Sequence, residues 1–101
     1  MSYKPFDEMA EISRRKHQRG QINRVIKQFS KAMKDKMLEH LDRPGWKGED
    51  VFWLAGRLKE EADELFFALD SFKPQKEILE ECADVANFAM MIADVYKGGQ
   101  K

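Results

Sequence analysis

The sequence EEADELFFALDSFKPQKEILEECAD, residues 60–84, contains one acidic cluster near each end. Successive residues of an α-helix are rotated by ~100°, so residues three apart lie on one face. Glu61 and Glu64 form such a pair in the first cluster. Glu81 and Asp84 form the pair in the second. If both segments are helices that fold back on each other, the four carboxylates converge, which a protein interior permits only when the acids are protonated or neutralised by cations.

Apolar residues at helical spacing flank both clusters and predict two long helices joined by a short turn. The first should begin near Glu49 or Asp50, because acids in a first turn interact favourably with the helix dipole. Its apolar stripe consists of Val51, Leu54, Ala55, Leu58, Ala62, Leu65 and Leu69. The turn lies around residues 71–74, where Pro74 suits the first position of the next helix. That helix should end near Lys97.

Upstream, the pattern predicts another long helix and a shorter preceding segment. Residues 1–20 are expected to form an N-terminal arm or a short helix that Gly20 ends. A long helix should run from Gln21 until the breaker pair Pro44-Gly45. Its apolar positions are Ile22, Val25, Ile26, Phe29, Met33, Met37 and Leu41. Since the chain has neither internal repeats nor strand-like alternation, we expect a single all-α domain, a helical bundle whose main body is residues 21–101.

Composition limits the class of protein. A chain of 101 residues is one domain on length grounds, and 43% hydrophobic with 36% charged residues fits a helical protein with solvated outer faces. Its one cysteine, Cys82, excludes an intrachain disulfide and a cysteine-based zinc site. No apolar run approaches the ~20 residues that span a bilayer, and the N-terminus has no signal-peptide pattern. We therefore expect a cytoplasmic protein with no membrane partner.

The formal net charge is zero, but the charges are unevenly distributed. Residues 1–36 contain ten Lys and Arg against four Asp and Glu, whereas residues 37–101 contain eight against fourteen. The densest basic segment is residues 14–19. It could contact nucleic acid or phosphate, or it could complement the acidic half of its own fold or of a neighbouring subunit. We favour the second interpretation and do not expect nucleic acid as a partner.

The last helix has the most informative pattern, because its acids lie on its apolar side. At ~100° per residue, Glu81 and Asp84 fall within about 60° of its large apolar residues. Those residues are Phe88, Ile92 and Val95, and the other side carries Ala83, Ala86, Ala89, Met90 and Ala93. A helix that is apolar on nearly all sides is buried on nearly all sides. One chain of this size has too few helices to cover it, so we expect a homodimer or homotetramer packed through this helix.

Buried acids need a counter-charge, and a bound cation supplies one. No Lys or Arg lies between Lys76 and Lys97 to pair with the acids of the last helix. For the pair on the preceding helix alone, a solvated face or a basic partner is the simpler explanation. All-oxygen ligands favour a hard ion, Mg²⁺ or Mn²⁺, with phosphate and water completing the shell. A di-iron site is not expected, since neither His17 nor His40 follows a Glu by three residues.

The acids and their surroundings resemble the signature of the all-α nucleoside triphosphate pyrophosphohydrolases, a superfamily that includes MazG, the dimeric dUTPases and the dCTP pyrophosphatases. The shared elements are Glu60-Glu61-x-x-Glu64, sixteen intervening residues, and Glu81-x-x-Asp84. The flanking residues 58–65 and 83–94 are close to those of small MazG-like proteins, and Gly45-Trp46 also fits. The resemblance covers about residues 25–97.

This resemblance implies a Mg²⁺-dependent hydrolase that splits a nucleoside triphosphate, foremost a dNTP, between its α- and β-phosphates. The products are the monophosphate and pyrophosphate, and the role is house-cleaning or control of the nucleotide pool. Glu60 would orient or deprotonate the attacking water, and Glu61 would serve both catalysis and metal binding. The implied metal ligands are Glu61, Glu64, Glu81 and Asp84. Small members of the family are commonly dimers or tetramers, in agreement with the expected oligomer.

Substrate contacts can be assigned in the same way. Asn87 could hydrogen-bond the sugar or the phosphates, although an amide bonded across a subunit interface fits equally well. Trp46 is a candidate for stacking on the base, whereas for Trp53 we favour a core or interface position. A residue that binds the phosphates is expected among Lys36, Arg57, Lys59, Lys73 and Lys97, and the sequence does not distinguish them. We name Lys36 and Lys59 as the candidate substrate-binding residues.

Two other functions remain open. A non-catalytic helical interaction module, binding nucleic acid through residues 14–19, would survive loss of the acids and would be sensitive to salt. Such a module has no need for acids on an apolar helix face. A small antitoxin-like or phage accessory protein with a degenerate site is disfavoured, because all four acids are intact.

Overall fold

A computed structural model describes residues 5–97, with side chains from residue 7 onward. It contains three helices: α1 (Pro5–Leu38), α2 (Val51–Asp70) and α3 (Gln75–Lys97). Residues 5–97 include no strand, so the all-α prediction is confirmed. None of the three helices is long and apolar enough to cross a membrane.

Helices α2 and α3 form the predicted hairpin, and local capping fixes its ends. Asp50 is the N-cap of α2 rather than part of its first turn, and its carboxylate accepts hydrogen bonds from the N–H groups of Phe52 and Trp53 at 3.1 and 3.2 Å. At the other end Phe72 adopts a φ of 54°, and the Lys73 N–H donates to the Ala68 carbonyl at 3.0 Å. This is the Schellman-type ending that stops a helix and reverses the chain.

The core between α2 and α3 is small. Its buried apolar residues are Leu54 and Ala68 from α2, and Ala83 and Val95 from α3. Two polar side chains, Glu61 and Asn87, are buried with them, at 7% and 3% exposure. Since burying polar groups is costly unless they are paired, these two residues mark the place where the hairpin departs from a purely structural core.

Helix α1 differs from the prediction at both positions where a boundary was expected. It runs through Gly20 without a break, because a single glycine costs only about 1 kcal/mol relative to alanine and its neighbours favour helix. It also ends at Leu38, before Leu41, with a tightened last turn in which the His40 N–H donates to the Met37 carbonyl at 3.1 Å.

The chain divides into two compact units at residue 30, so the final turns of α1 belong to the same unit as the hairpin. A hydrogen bond joins the end of α1 to α3 within this unit: the Asn87 Nδ2 donates to the Met33 carbonyl at 3.0 Å. The loop between α1 and α2 is held by Asp94, whose Oδ2 accepts from the Trp46 Nε1 at 2.9 Å and pairs with the Lys47 Nζ at 2.8 Å. These three contacts hold the end of α1 and the loop that follows it against α3.

Residues 5–97 of one copy leave one face of α3 uncovered, as the sequence predicted for a single chain, and the oligomer that would cover it stays a prediction. Ala89, Met90 and Ala93 are exposed, as are Leu79 and Tyr96. At ~100° per residue these five side chains share one face of α3. The opposite face, which packs on α2, carries the acids.

Candidate metal centre

Three carboxylates from the two helices of the hairpin meet. Glu61 of α2 and Glu81 and Asp84 of α3 each contribute one oxygen, and these oxygens all lie within 4.8 Å of one another. Glu61 is buried and the other two are half-buried. The hairpin therefore brings together members of both predicted pairs, as the helical spacing required.

The remaining acids of the first cluster lie at the edge of this group. Glu64 is exposed, one turn further along α2 than Glu61, and is not part of the compact group of three. It is close enough to affect the group, because its carboxylate raises the pKa of both Glu61 and Glu81. Glu60 is 65% exposed and pairs with Arg57. Glu64 thus borders the group on its solvent side, whereas Glu60 is connected to it only through Arg57, which also contacts Glu61.

Burial and mutual repulsion make the three acids hold protons more tightly than usual. Burial, followed by the charges of Glu64 and Asp84, raises the pKa of Glu61 from 4.5 to about 7. Burial is also the main cause of the raised pKa values of Glu81 and Asp84. Near neutral pH the group is therefore at the point where a proton or a cation must offset its charge.

Two basic residues partly supply that offset, although none was expected from α3 itself. The Lys36 Nζ, from α1, lies 3.8 Å from the Asp84 Oδ2. Burial disfavours the charged Lys36, yet nearby acids, Asp84 foremost, outweigh it and raise the pKa of its ammonium group. The Arg57 Nη2 lies 3.4 Å from the Glu61 Oε2, and its guanidinium stacks 5.1 Å from the Phe88 ring centroid.

These contacts distinguish among the five basic residues that were candidates for binding phosphate. Lys36 and Arg57 adjoin the acids, whereas Lys59, Lys73 and Lys97 are exposed and form no ion pair with the side chains described. Arg57 was identifiable from sequence, because it precedes Glu60 and Glu61 by three and four residues. No local pattern connects Lys36 to Asp84, which lie on different helices.

Asn87 adds an unpaired polar atom near this group. It follows Asp84 by three residues, one turn along α3. Its Nδ2 donates to the Met33 carbonyl, whereas its buried Oδ1 has no hydrogen-bond partner among the residues that the structure describes. Buried amide oxygens are normally paired, so this one is free to accept a bond from a ligand.

The two tryptophans occupy different environments. Trp46 is half-buried and is oriented by its hydrogen bond to Asp94, a residue that the sequence did not single out. Asp94 lies ten residues beyond Asp84, about 15 Å along the helix axis at 1.5 Å per residue. Trp53 is 52% exposed, which excludes the core position considered for it and leaves an interface position open.

Comparison with known proteins adds no assignment to this geometry. No protein-family model matches the chain, no curated protein matches it, and no solved structure matches it.

Proposed function

We propose that this chain is a Mg²⁺-dependent nucleoside triphosphate pyrophosphohydrolase of the MazG-like, all-α type. It would convert a nucleoside triphosphate, foremost a dNTP, to the monophosphate and pyrophosphate. The observation that carries the proposal is the convergence of Glu61, Glu81 and Asp84 to within 4.8 Å across the α2–α3 hairpin. A helical hairpin has no structural use for one buried and two half-buried acids that meet, since their burial is unfavourable without a counter-charge.

The residues fit a hard divalent cation. Every donor is a carboxylate oxygen, the ligand type that Mg²⁺ and Mn²⁺ prefer. Oxygens around one Mg²⁺ lie at most about 4.2 Å apart, twice the ~2.1 Å bond length, so the observed spacing requires only small side-chain movements. Glu64, at the exposed edge, is the fourth ligand in this proposal. The unpaired Asn87 Oδ1 gives the site a further neutral acceptor.

The bound cation would neutralise phosphate charge and lower the pKa of a bound water. The chain's own residues have separate tasks. Glu61, Glu64, Glu81 and Asp84 would hold the cation, and the hairpin shields Glu61 from bulk water and partly covers Glu81 and Asp84. Glu60, exposed beside them, accepts the proton of the attacking water or orients that water.

The basic residues would act on the substrate. Lys36 and Arg57 adjoin the acids, where the phosphates of a bound nucleotide would lie, and each can exchange its carboxylate partner for a phosphate oxygen. Lys59 has less support as a phosphate ligand, since it is exposed and forms no ion pair with the described side chains. Asn87 would accept a hydrogen bond from the sugar, and Trp46 would stack on the base.

A second copy of the chain belongs to the proposal, because the exposed face of α3 is apolar. Met90 is 38%, Leu79 44% and Tyr96 66% exposed, and Ala89 and Ala93 between them would allow close approach of another helix. A homodimer, or a homotetramer built from two dimers, would cover this face through a twofold axis. Light scattering tests this directly, and a monomeric mass in solution would contradict it.

The experiment on activity is a panel of ribo- and deoxynucleoside triphosphates, with monophosphate and pyrophosphate both quantified. We expect turnover only when Mg²⁺ or Mn²⁺ is present. Glu61→Gln and Glu81→Gln should each reduce kcat/KM by more than about 10³-fold, some 4 kcal/mol of transition-state stabilisation, while circular dichroism stays unchanged.

Asp63→Asn is the matched control, because it removes an exposed acid of the same cluster and should leave turnover as it is. The proposal fails if no nucleotide is hydrolysed, or if turnover survives the Glu81 substitution.

A further inference from the structure

Residues 12–30 of α1 form a second charged region that the proposed hydrolysis does not use. This segment contains six Lys and Arg and no Asp or Glu. It lies within one uninterrupted helix, and every side chain from residue 12 to residue 28 is exposed. The basic residues are Arg14, Arg15, Lys16, Arg19, Arg24 and Lys27. Below, residues 12–30 are called the basic segment.

Most of this charge has no acidic partner. A single carboxylate, Glu11, pairs with both Arg14 and Arg15. No acid among the described side chains forms an ion pair with the other four basic residues, which are Lys16, Arg19, Arg24 and Lys27. The segment therefore presents a strong positive potential to any partner that approaches.

The positive charges surround the helix instead of following one side. At ~100° per residue the largest angular gap between neighbouring basic residues is about 100°, between Arg14 and Arg15. The exposed Val25 and Ile22 fall within this gap and Ile26 at its edge, so apolar side chains occupy about a third of the helix circumference and the positive charges cover the rest. A membrane surface or a flat acidic protein would contact one face of such a helix and leave the rest of its charge unpaired.

A partner with negative charge on both flanks of the helix satisfies this arrangement. The major groove of B-form DNA is about 12 Å wide, accepts an α-helix, and is bordered by a row of phosphates on each side. The corresponding groove of A-form RNA is too narrow for a helix. Arg15 and Arg19, one turn apart, also line a shallow concavity with Gln18 and Ile22, in which one phosphate could accept bonds from both guanidinium groups.

Contrary to the expectation from the sequence, which did not include nucleic acid as a partner, we propose that residues 12–30 of α1 bind the major groove of duplex DNA through its phosphates. This goes beyond the proposed hydrolysis and is independent of it, since the basic segment shares no residue with the acidic group. Each phosphate neutralised contributes about −0.9 to the slope of log K against log salt concentration. With three to six contacts, the expected slope is roughly −3 to −5. Because phosphates carry no sequence information, we expect little base preference.

The test is a titration of labelled duplex DNA, about two helical turns long, with the full-length chain, followed by fluorescence anisotropy at several salt concentrations. The double substitution Arg19→Gln with Arg24→Gln should weaken binding at least tenfold and reduce the slope by about 2. Glutamine keeps the helix propensity nearly unchanged. The matched control, Lys73→Gln with Lys76→Gln, removes two exposed positive charges from the turn and α3 and should leave binding unchanged.

Three further arms separate the alternatives: duplex RNA of the same sequence, vesicles containing anionic lipid, and sedimentation of the protein alone. The proposal is overturned if the chain fails to bind duplex DNA at low salt, or if both double variants bind equally well. It is also overturned if RNA or vesicles bind more tightly than DNA. If the Arg19→Gln with Arg24→Gln variant sediments differently from the unsubstituted chain but binds DNA equally well, the proposal is also overturned, and the basic segment instead contacts the acidic surface of another copy. Nucleotide turnover has no influence on any of these outcomes.

Discussion

The hairpin of α2 and α3 and the basic segment of α1 treat charged side chains in opposite ways. In the hairpin, Glu61 is 7% exposed and two further acids lie within 4.8 Å of it. In the basic segment, all charged side chains are exposed, and apolar ones such as Ile12, at 65%, are exposed with them. Charge that is buried has a large free-energy cost and therefore demands a ligand or a proton, whereas charge in solvent costs little and acquires a role only with a partner.

The largest expected difference between the two regions is the response of stability to pH. The folded chain keeps a proton on Glu61 up to about pH 7, whereas the unfolded chain releases it near pH 4.5. Between these values the folded state binds more protons, so the free energy of unfolding of the metal-free protein falls as the pH rises. The full loss is about 3 kcal/mol and levels off above pH 7. The raised pKa values of Glu81 and Asp84 act in the same direction.

Urea unfolding of the metal-free protein between about pH 5 and pH 8 measures this loss. Glu61→Gln should flatten the dependence, and Asp63→Asn should keep it. If the acids hold Mg²⁺ as proposed, excess Mg²⁺ at the alkaline end should restore stability, because a ligand that binds only the folded state stabilises it. Stability that is constant or rises over this range would contradict the assigned burial of the acids.

Replacing an asparagine should lower the free energy of unfolding in the hairpin but not in the basic segment, and this effect is smaller than the effect of pH. Asn87→Ala removes the hydrogen bond to the Met33 carbonyl and should lower the free energy of unfolding by about 2 kcal/mol. Asn23→Ala, at an exposed position of the basic segment, should change it by less than about 0.5 kcal/mol. Thermal unfolding of both variants provides the comparison, and equal losses would show that burial is not what distinguishes the regions.

The smallest effect concerns two helical glycines. A Cβ at Gly20 or at Gly56 would meet no atom within 4 Å, so alanine fits at both positions and should favour helix by up to about 1 kcal/mol. In α2, Gly56→Ala should raise the global free energy of unfolding. In α1, Gly20→Ala should slow amide hydrogen exchange locally, since its surroundings bury no side chain and can open without the rest. If both variants slowed amide hydrogen exchange equally along the whole chain, the expectation that the basic segment opens independently of the hairpin would be wrong.

Much of the hairpin could be predicted from the sequence, because its determinants are local. The start of α2 and the turn before Gln75 depend on neighbours along the chain, and the sequence placed both to within a residue or two. The break expected at Gly20 was wrong, since one glycine in a run of good helix formers is too weak a signal to end a helix.

Contacts between helices are what the sequence left open. Spacing placed Glu61 and Glu64 on one face of α2, but only packing buried the first and left the second in solvent. The pairing of Lys36 with Asp84 joins positions on different helices, and neither position alone indicates the other.

The sequence by itself determined a hairpin of two long helices, a long helix before it, and acids repeated at intervals of three residues. Tertiary structure decided which of those acids meet, which basic side chains reach them, and that the Asn87 amide oxygen is buried without a partner among the residues that the structure describes. The physical reason is the distance along the chain over which each kind of interaction acts. Helix geometry follows from backbone hydrogen bonds four residues apart, whereas the pKa of a carboxylate follows from solvent exclusion and from charges that other segments bring within a few ångströms.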